Sequence, residues 1–152
     1  MATLDVFNRI LVCADFSRSS LRAFEYALAL CSANPEAQLC LFHAIPEPDA
    51  QFWKTYLYEI DQIDDKAKAD IDRKLQECYL DRAPKGLTIN TRVDVGSAAE
   101  RLLEAVQAES IDLVVLGRED SGGPSTLFWG DSVRSALRKL RCPVLVIPPE
   151  SD

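Results

Sequence analysis

A glycine-rich loop between two regular segments holds the residues of this chain whose types and spacing could do chemistry. The residues at its two ends are Gly117-Arg118 and Gly130-Asp131-Ser132-Val133. Glycine lets the backbone approach a ligand closely, and the first N–H groups of a helix attract anions. The loop therefore predicts a site for an anion such as a nucleotide phosphate. A flexible surface loop that ends in a helix cap is the alternative interpretation.

Two carboxylates conflict with phosphate binding at this loop. Asp120 lies inside the loop and Asp131 lies at its end. Repulsion between two unit charges 4 Å apart costs roughly 1 kcal/mol in water and about 4 kcal/mol at an effective dielectric of 20. A Mg²⁺ ion that bridges Asp131 and the phosphates would reverse the sign of this effect. The sequence also lacks both standard phosphate-binding motifs. GxxxxGKS/T is absent, and no GxGxxG follows the first strand.

Length, composition and charge narrow the classes of protein to consider. The 152 residues carry a formal net charge of −7, which disfavours nucleic acid and anionic membranes as partners because both need clustered Lys and Arg. No apolar run approaches the roughly 20 residues that span a bilayer. Asp5 stands where a signal peptide would be basic. We therefore expect one cytoplasmic domain over residues 1–152.

The cysteines and the single histidine offer little metal or disulfide chemistry. The cysteines are Cys13, Cys31, Cys40, Cys78 and Cys142. Their number is odd, they form no CxxC pair, and His43 is the only histidine, so the ligand spacing of a zinc site is missing. We expect buried, reduced thiols. For His43 a structural role is favoured over that of a catalytic base.

Apolar runs and helical patterns alternate along the chain. The strand-like runs cover residues 9–15, 37–45, 87–95, 111–117 and 143–149. Four helical patterns lie between or after these runs. The first follows the N-cap candidate Ser17, and the second covers residues 52–82. The third follows the N-cap candidate Ser97, with Glu100 completing a capping box, and the fourth covers about 131–140. The order β-α-β-α-β-α-β-α-β predicts a doubly wound parallel sheet with helices on both faces.

The strand order decides where a ligand would bind. The first, second and fourth runs are the most uniformly apolar and belong in the centre, whereas the third alternates and belongs near an edge. A flavodoxin-like, Rossmann-like order 3-2-1-4-5 places the topological switch point between strands one and four. Their carboxyl ends are Ala14-Asp15 and Leu116-Gly117. The glycine loop therefore lies where a ligand is expected, and Asp15 could accept a hydrogen bond from an adenine or a ribose.

Several segments, in order, resemble the universal stress protein family across essentially the whole chain. FNRILVCADFSRSSLRAFEYALAL resembles the opening strand and Ala-rich helix of the family, and LCLFHAI its second strand. The glycine-containing segment of the family resembles VDVGSAAERLLEAV. Its fourth strand resembles IDLVVLGR, and its Cys-Pro-Val ending resembles RCPVLVIP. The resemblance implies a stress-response regulator or binding protein whose ligand could be ATP. The two carboxylates favour AMP or adenosine over ATP, unless Mg²⁺ accompanies the ATP.

The ATP motif of the family is only partly present. ATP-binding members have Gly-x-x-Gly, nine residues, and then Gly-Ser or Gly-Thr. Here Gly117 and Gly130 match, whereas Asp120 and Asp131 replace the second glycine and the hydroxyl. The candidate ligand residues, taken from the resemblance together with the strand ends and the helix N-terminus, are Ala14, Asp15, Ser17, Gly117, Arg118, Gly130, Asp131, Ser132 and Val133. We therefore expect a nucleotide pocket with weakened affinity for triphosphates, in which Gly122 and Gly123 could partly replace the lost glycine.

Two kinds of function follow from the resemblance. The first is a regulator that acts as a dimer. The apolar fifth strand, Pro143 to Ile147, is an edge of the sheet, and pairing with a second copy would protect it from aggregation. Dimers through the last strand are typical of the family. The alternative is a slow ATPase or an autophosphorylating protein that uses the loop from Gly117 to Ser132. Its candidate phosphate acceptors are Ser125, Thr126 and Ser132.

Overall fold

The computed structural model describes residues 7–45, 60–119 and 130–150, and within these it leaves out the side chains of residues 60–67. The strands are β1 (Arg9–Cys13), β2 (Gln38–Ile45), β3 (Ile89–Val95), β4 (Leu113–Gly117) and β5 (Val144–Ile147). The α-helices are α1 (Arg18–Ser32), α2 (Ile60–Cys78), α3 (Ala98–Ala108) and α4 (Asp131–Leu137). No helix in these ranges is both long and apolar enough to cross a membrane.

The five strands form one parallel sheet in the order β3-β2-β1-β4-β5. The predicted fold class and strand order are confirmed. In the register of the sheet, Ile10 of β1 lies beside Leu39 of β2 and Leu113 of β4. All side chains of β4 are buried, whereas β3 at one edge has exposed and half-buried side chains, as its alternating sequence predicts.

Helices cover both faces of the sheet and divide the core into two clusters. On one face, Ile10 and Val12 of β1 pack with Phe24 of α1 and Leu75 of α2. On the other face, Leu11 and Cys13 of β1 belong to a cluster that also holds Leu102 of α3 and the α4 residues Val133 and Ala136. Successive strand residues point to opposite faces, so each central strand supplies both clusters.

Serine caps begin two of the helices, as the sequence predicts. The hydroxyl oxygen of Ser17 accepts a hydrogen bond from the N–H of Ser20 at 3.1 Å, at the start of α1. Ser97 caps α3 by accepting from the N–H of Glu100 at 3.4 Å. Gly96 precedes this cap with φ of 135°, a backbone conformation that other residues rarely adopt. These side chains satisfy N–H groups that have no partner inside the helix.

Two helices are shorter than predicted. The helix expected over residues 52–82 ends at Cys78, and a 3-10 turn follows at Leu80–Arg82, because the intervening Tyr79 turns fully into the core. Residues 52–59 lie outside the described ranges. The helix expected over about 131–140 ends at Leu137, which lets the following segment pack Leu140 against the core.

The cysteines are all free, but only some are buried. Cys13, Cys31 and Cys40 are buried, as expected, whereas Cys78 and Cys142 are half-buried. The expectation of five buried thiols is therefore wrong for these two, because Cys78 ends α2 and Cys142 lies in the connection that precedes β5. Burial raises the pKa of the Cys13 thiol well above its usual value and that of Cys40 to about 11, so these groups stay protonated near neutral pH.

Helix α1 packs closely against the carboxyl end of β4. A Cβ atom at position 117 would lie 2.3 Å from the carbonyl carbon of Ser19 and 2.4 Å from its oxygen. Such distances are far below van der Waals contact, and the atoms that would clash are backbone atoms of a helix. Position 117 therefore requires glycine for the packing of α1 on the sheet.

We expect the substitution Gly117→Ala to destabilise the protein by about 1–3 kcal/mol, because α1 must move to admit the methyl group. Urea unfolding followed by circular dichroism measures the effect. Gly130→Ala is the matched control: a Cβ atom at position 130 meets nothing within 4 Å, so we expect less than about 1 kcal/mol there. Equal losses of stability in the two variants would contradict the close packing at Gly117.

Candidate functional site

The carboxyl ends of β1 and β4 form the switch point of the sheet. The two strands pair in parallel, with Val12 beside Val115. After β1 the chain enters α1 on one face, whereas the chain after β4 leads to α4 on the other face. In sheets of this kind the diverging connections leave a crevice in which ligands bind. The structure thus brings Ala14, Asp15 and Gly117 to one end of two adjacent strands.

Asp15 lies in a tight turn between β1 and α1. Its side chain is buried, and Oδ1 accepts from the N–H of Ser17 at 3.0 Å and from the Ser17 hydroxyl at 2.5 Å. Phe16, between them, has φ of 67°, in the left-handed region that is uncommon for a large side chain. The turn holds the carboxylate in one orientation at the switch point. Ser17 therefore supports Asp15 and caps α1 at the same time.

The buried hydroxyl of Tyr79 stabilises this turn through hydrogen bonds. Its oxygen accepts from the N–H of Phe16 at 2.9 Å and lies 2.5 Å from the hydroxyl of Ser20. Because the Ser20 hydroxyl donates to the carbonyl of Ser17 at 3.0 Å, the Tyr79 hydroxyl donates to Ser20. Burial raises the pKa of Tyr79 to about 12, which keeps this donor protonated. The left-handed backbone of Phe16 thus has a fixed hydrogen-bond partner.

His43 ties β2 to the end of β1. Its Nδ1 lies 2.7 Å from the carbonyl oxygen of Ala14, and since a carbonyl can only accept, Nδ1 carries the proton. Burial lowers the pKa of His43, an effect that the Ala14 carbonyl and the charge of Asp15 partly offset. The imidazole is therefore neutral at pH 7. This arrangement favours the structural role that we expected for His43.

One cation at this end of the sheet has no counterpart in the sequence prediction. The ammonium of Lys74, on α2, lies 5.9 Å from the centre of the Phe16 ring, within the range of cation–π attraction. The Phe16 ring in turn lies 5.1 Å from the ring of His43. Lys74 is exposed and lies close enough to His43 to contribute to the lowering of its pKa. It therefore adds a positive charge near Phe16 and His43.

Glu119 is a second residue that the sequence analysis missed. Its Oε1 accepts from the N–H of Ser19 at 3.2 Å and from the Ser19 hydroxyl at 2.6 Å. The same hydroxyl lies 2.7 Å from the carbonyl oxygen of Arg118, and the N–H of Arg118 donates to Ile147 of β5 at 2.8 Å. The Glu119 carboxylate therefore links the end of β4 to the first turn of α1. This contact joins residues 100 positions apart, so no local pattern could indicate it.

The remaining predicted site residues lie at the start of α4. Gly130 is the N-cap residue, and Val133 is buried in the cluster beneath α3 and α4. Ser132 is exposed, as is Asp131, whose carboxylate pairs with Arg134 one turn further on. Asp120, Gly122, Gly123, Ser125 and Thr126 lie outside the described residues. In the part of the chain that the structure describes, no cluster of three or more His, Cys, Asp or Glu side chains could hold a metal ion.

Solved structures share this architecture. The structure of the hypothetical protein MJ0577 superposes with a TM-score of 0.77 at 19% identity, over 97% of this chain and 100% of that one. A universal stress protein solved in complex with cAMP superposes with a TM-score of 0.55 at 23% identity, over 95% of this chain and 98% of that one. At these identities the likeness establishes the shared fold.

Sequence comparison establishes more than the fold. The "Universal stress protein in QAH/OAS sulfhydrylase 3'region" of Thermus aquaticus is 32% identical over 148 residues, which cover 93% of this chain and 99% of that protein. The model of the universal stress protein family matches residues 7–148, from just before β1 to just after β5. The resemblance seen in the sequence is thereby confirmed, and the chain belongs to the universal stress protein family.

Proposed function

We propose that this chain is a stress-response regulator that binds an adenine nucleotide or nucleoside at the crevice between β1 and β4, with weakened affinity for triphosphates. The observation that carries the proposal is the Asp15 carboxylate, which a buried turn fixes at the switch point beside Gly117. A carboxylate there can accept from the amino group of adenine or from a ribose hydroxyl. The related universal stress protein that was solved with cAMP supports an adenine-containing ligand.

The charges around the crevice support discrimination against long phosphate chains. Glu119 adds a carboxylate at the end of β4 that the sequence motif does not include. Asp131 adds another at the start of α4, where Arg134 partly balances it. Each carboxylate near a phosphate raises the free energy of binding, and a triphosphate presents more charge to this repulsion than a monophosphate does. Adenosine, AMP or cAMP therefore fits the site better than free ATP, and Mg²⁺ would reduce the difference.

The proposal is tested by titration calorimetry with adenosine, AMP, cAMP and ATP, the last with and without Mg²⁺. We expect adenosine or a monophosphate to bind more tightly than ATP. Asp15→Asn should weaken adenosine binding about tenfold or more, because a hydrogen bond to a charged group is worth about 1.5–3 kcal/mol. Asp70→Asn, on an exposed side chain of α2, is the control and should change nothing. Failure of every adenine compound to bind at millimolar concentration would overturn the proposal.

The variant Glu119→Gln, alone and combined with Asp131→Ser, tests whether charge weakens the binding of ATP. Glutamine keeps an oxygen that can accept from Ser19 but removes the charge. We expect ATP to bind about 3- to 10-fold more tightly to the single variant, and more tightly still to the double variant, while adenosine binding stays unchanged. An equal change for ATP and adenosine would show that Glu119 acts through the shape of the crevice and not through its charge.

The second part of the proposal is that the protein acts as a dimer through β5. This strand pairs with β4 on one side and, among the described residues, with no strand on the other. Its residues Val144, Leu145 and Val146 are all apolar and only half-buried. A short apolar edge of this kind is protected from aggregation when a second copy covers it, and a two-fold axis would pair β5 with itself.

Val146→Lys should therefore convert the dimer to a monomer, because the ammonium would have to be desolvated in the apolar interface. Size-exclusion chromatography with light scattering measures the mass. Val95→Lys at the other edge of the sheet, where Val95 is 49% exposed, is the matched control and should remain dimeric. Circular dichroism verifies that both variants are folded. A folded Val146→Lys variant that still forms a dimer would place the interface elsewhere.

A further inference from the structure

A cavity of about 530 Å³ lies at the opposite end of the sheet from the nucleotide crevice. Its walls come from the second half of α3, from the residues just before β4, and from the connection between α4 and β5. The half-buried side chains of Leu103, Val106 and Leu140 form an apolar floor. The volume falls within the range of about 300–1,000 Å³ that is usual for small-molecule sites.

Two cations stand at the rim of this cavity. Lys139 and Arg141 both line it and are exposed. Neither side chain has a hydrogen bond or an ion pair with another residue in the described ranges. This is a local excess of positive charge in a chain whose net charge is −7. An anionic group placed between the two side chains would meet two donors that no other group of the described chain engages.

The one carboxylate in the lining is already engaged. Asp112 accepts from the N–H of Asn8 at 2.9 Å and from the N–H of Arg9 at 3.1 Å. These bonds fasten the start of β1 to the residue that precedes β4. Among the described residues Asp112 forms no ion pair with Lys139 or Arg141, and the two cations outnumber this one carboxylate in the lining. The rim of the cavity is therefore cationic.

We propose that this cavity binds a small molecule with an apolar body and an anionic head group. The body lies on Leu103, Val106 and Leu140, and the head group pairs with Lys139 and Arg141. The site is separate from the crevice between β1 and β4, since its lining lies before the amino ends of β4 and β5. An apolar floor with a few convergent charges is the usual composition of a ligand site, and here the sign of the charges selects an acid.

Cys142 gives this site a built-in reporter. Cys142 lines the same cavity and is half-buried, and burial raises the pKa of its thiol. A ligand in the cavity would cover the sulfur and slow its alkylation. Cys78, at the end of α2, is also half-buried and does not line the cavity. The two thiols can therefore be compared within one sample.

The experiment measures alkylation of both thiols by N-ethylmaleimide at about pH 8, with peptide mass spectrometry, in the presence of decanoate. At about ten times its dissociation constant, decanoate should slow alkylation of Cys142 about tenfold and leave Cys78 unchanged. Decanol, which has the same apolar body and no charge, should protect less. The double variant Lys139→Gln with Arg141→Gln should lose most of the protection by decanoate. Arg138→Gln, a neighbouring cation that does not line the cavity, should retain it.

Two outcomes would overturn the proposal. Decanoate that slows both thiols equally, or neither thiol up to millimolar concentration, would mean that the cavity does not bind it. Protection of Cys142 that is the same in the double variant as in the unaltered chain would mean that Lys139 and Arg141 do not hold the head group. The substituted side chains are exposed, so the variants are expected to fold, and thermal unfolding monitored by circular dichroism verifies this.

Discussion

The contact between the first turn of α1 and the end of β4 is the constraint on which the candidate nucleotide site depends. No side-chain atom fits at Gly117 because the backbone of Ser19 already occupies the space. This proximity brings the Ser19 hydroxyl within reach of both Arg118 and Glu119. One wall of the crevice is therefore held by close backbone packing and by the hydrogen bonds of Ser19 with Glu119. A glycine that belongs to a nucleotide motif in the family has, in this chain, a packing role that needs no ligand.

A buried chain of hydrogen bonds gives the other wall of the crevice its rigidity. It runs from Tyr79 through Ser20 to the carbonyl of Ser17, while the hydroxyl of Ser17 donates to Asp15. Each donor in this chain has an acceptor, so the polar groups are buried without being left unpaired. Such a network fixes the position of Asp15 before any ligand arrives, and preorganisation of this kind lowers the entropy lost on binding.

The sequence predicts the fold well for a physical reason. Central strands of a parallel sheet are buried on both faces, so their residues are apolar without interruption, as in residues 113–117. The alternation in β3 marks an edge for the same reason. Helix starts are also local, because the hydroxyls of Ser17 and Ser97 act on N–H groups three residues away. Local patterns therefore determine the elements, and the rules of connection favour a parallel sheet. The order of its strands followed from the assumption of a flavodoxin-like fold, which the structure confirms.

The parts of the site that the sequence did not predict are those that depend on distant contacts. Tyr79 supports Phe16 across 63 positions, and Glu119 reaches Ser19 across 100. Neither residue stands out in its own segment, since one follows a charged helix and the other belongs to an acidic loop. The ends of α2 and α4 were misplaced for the same reason. Each helix stops where the following residues, Tyr79 and Leu140, have to pack on the core.

The separation of these contacts has a consequence for how the protein is made. While the ribosome is still synthesising the chain, β1 and α1 emerge early, but their partners at Gly117 and Glu119 follow about 100 residues later. Until then the side of β1 that pairs with β4 in the folded protein is an unpaired parallel edge. Folding of the sheet must wait for these long-range pairings, which are slow to form and leave apolar strands open to aggregation. The crevice is thus completed late in synthesis, after the ribosome has made β4.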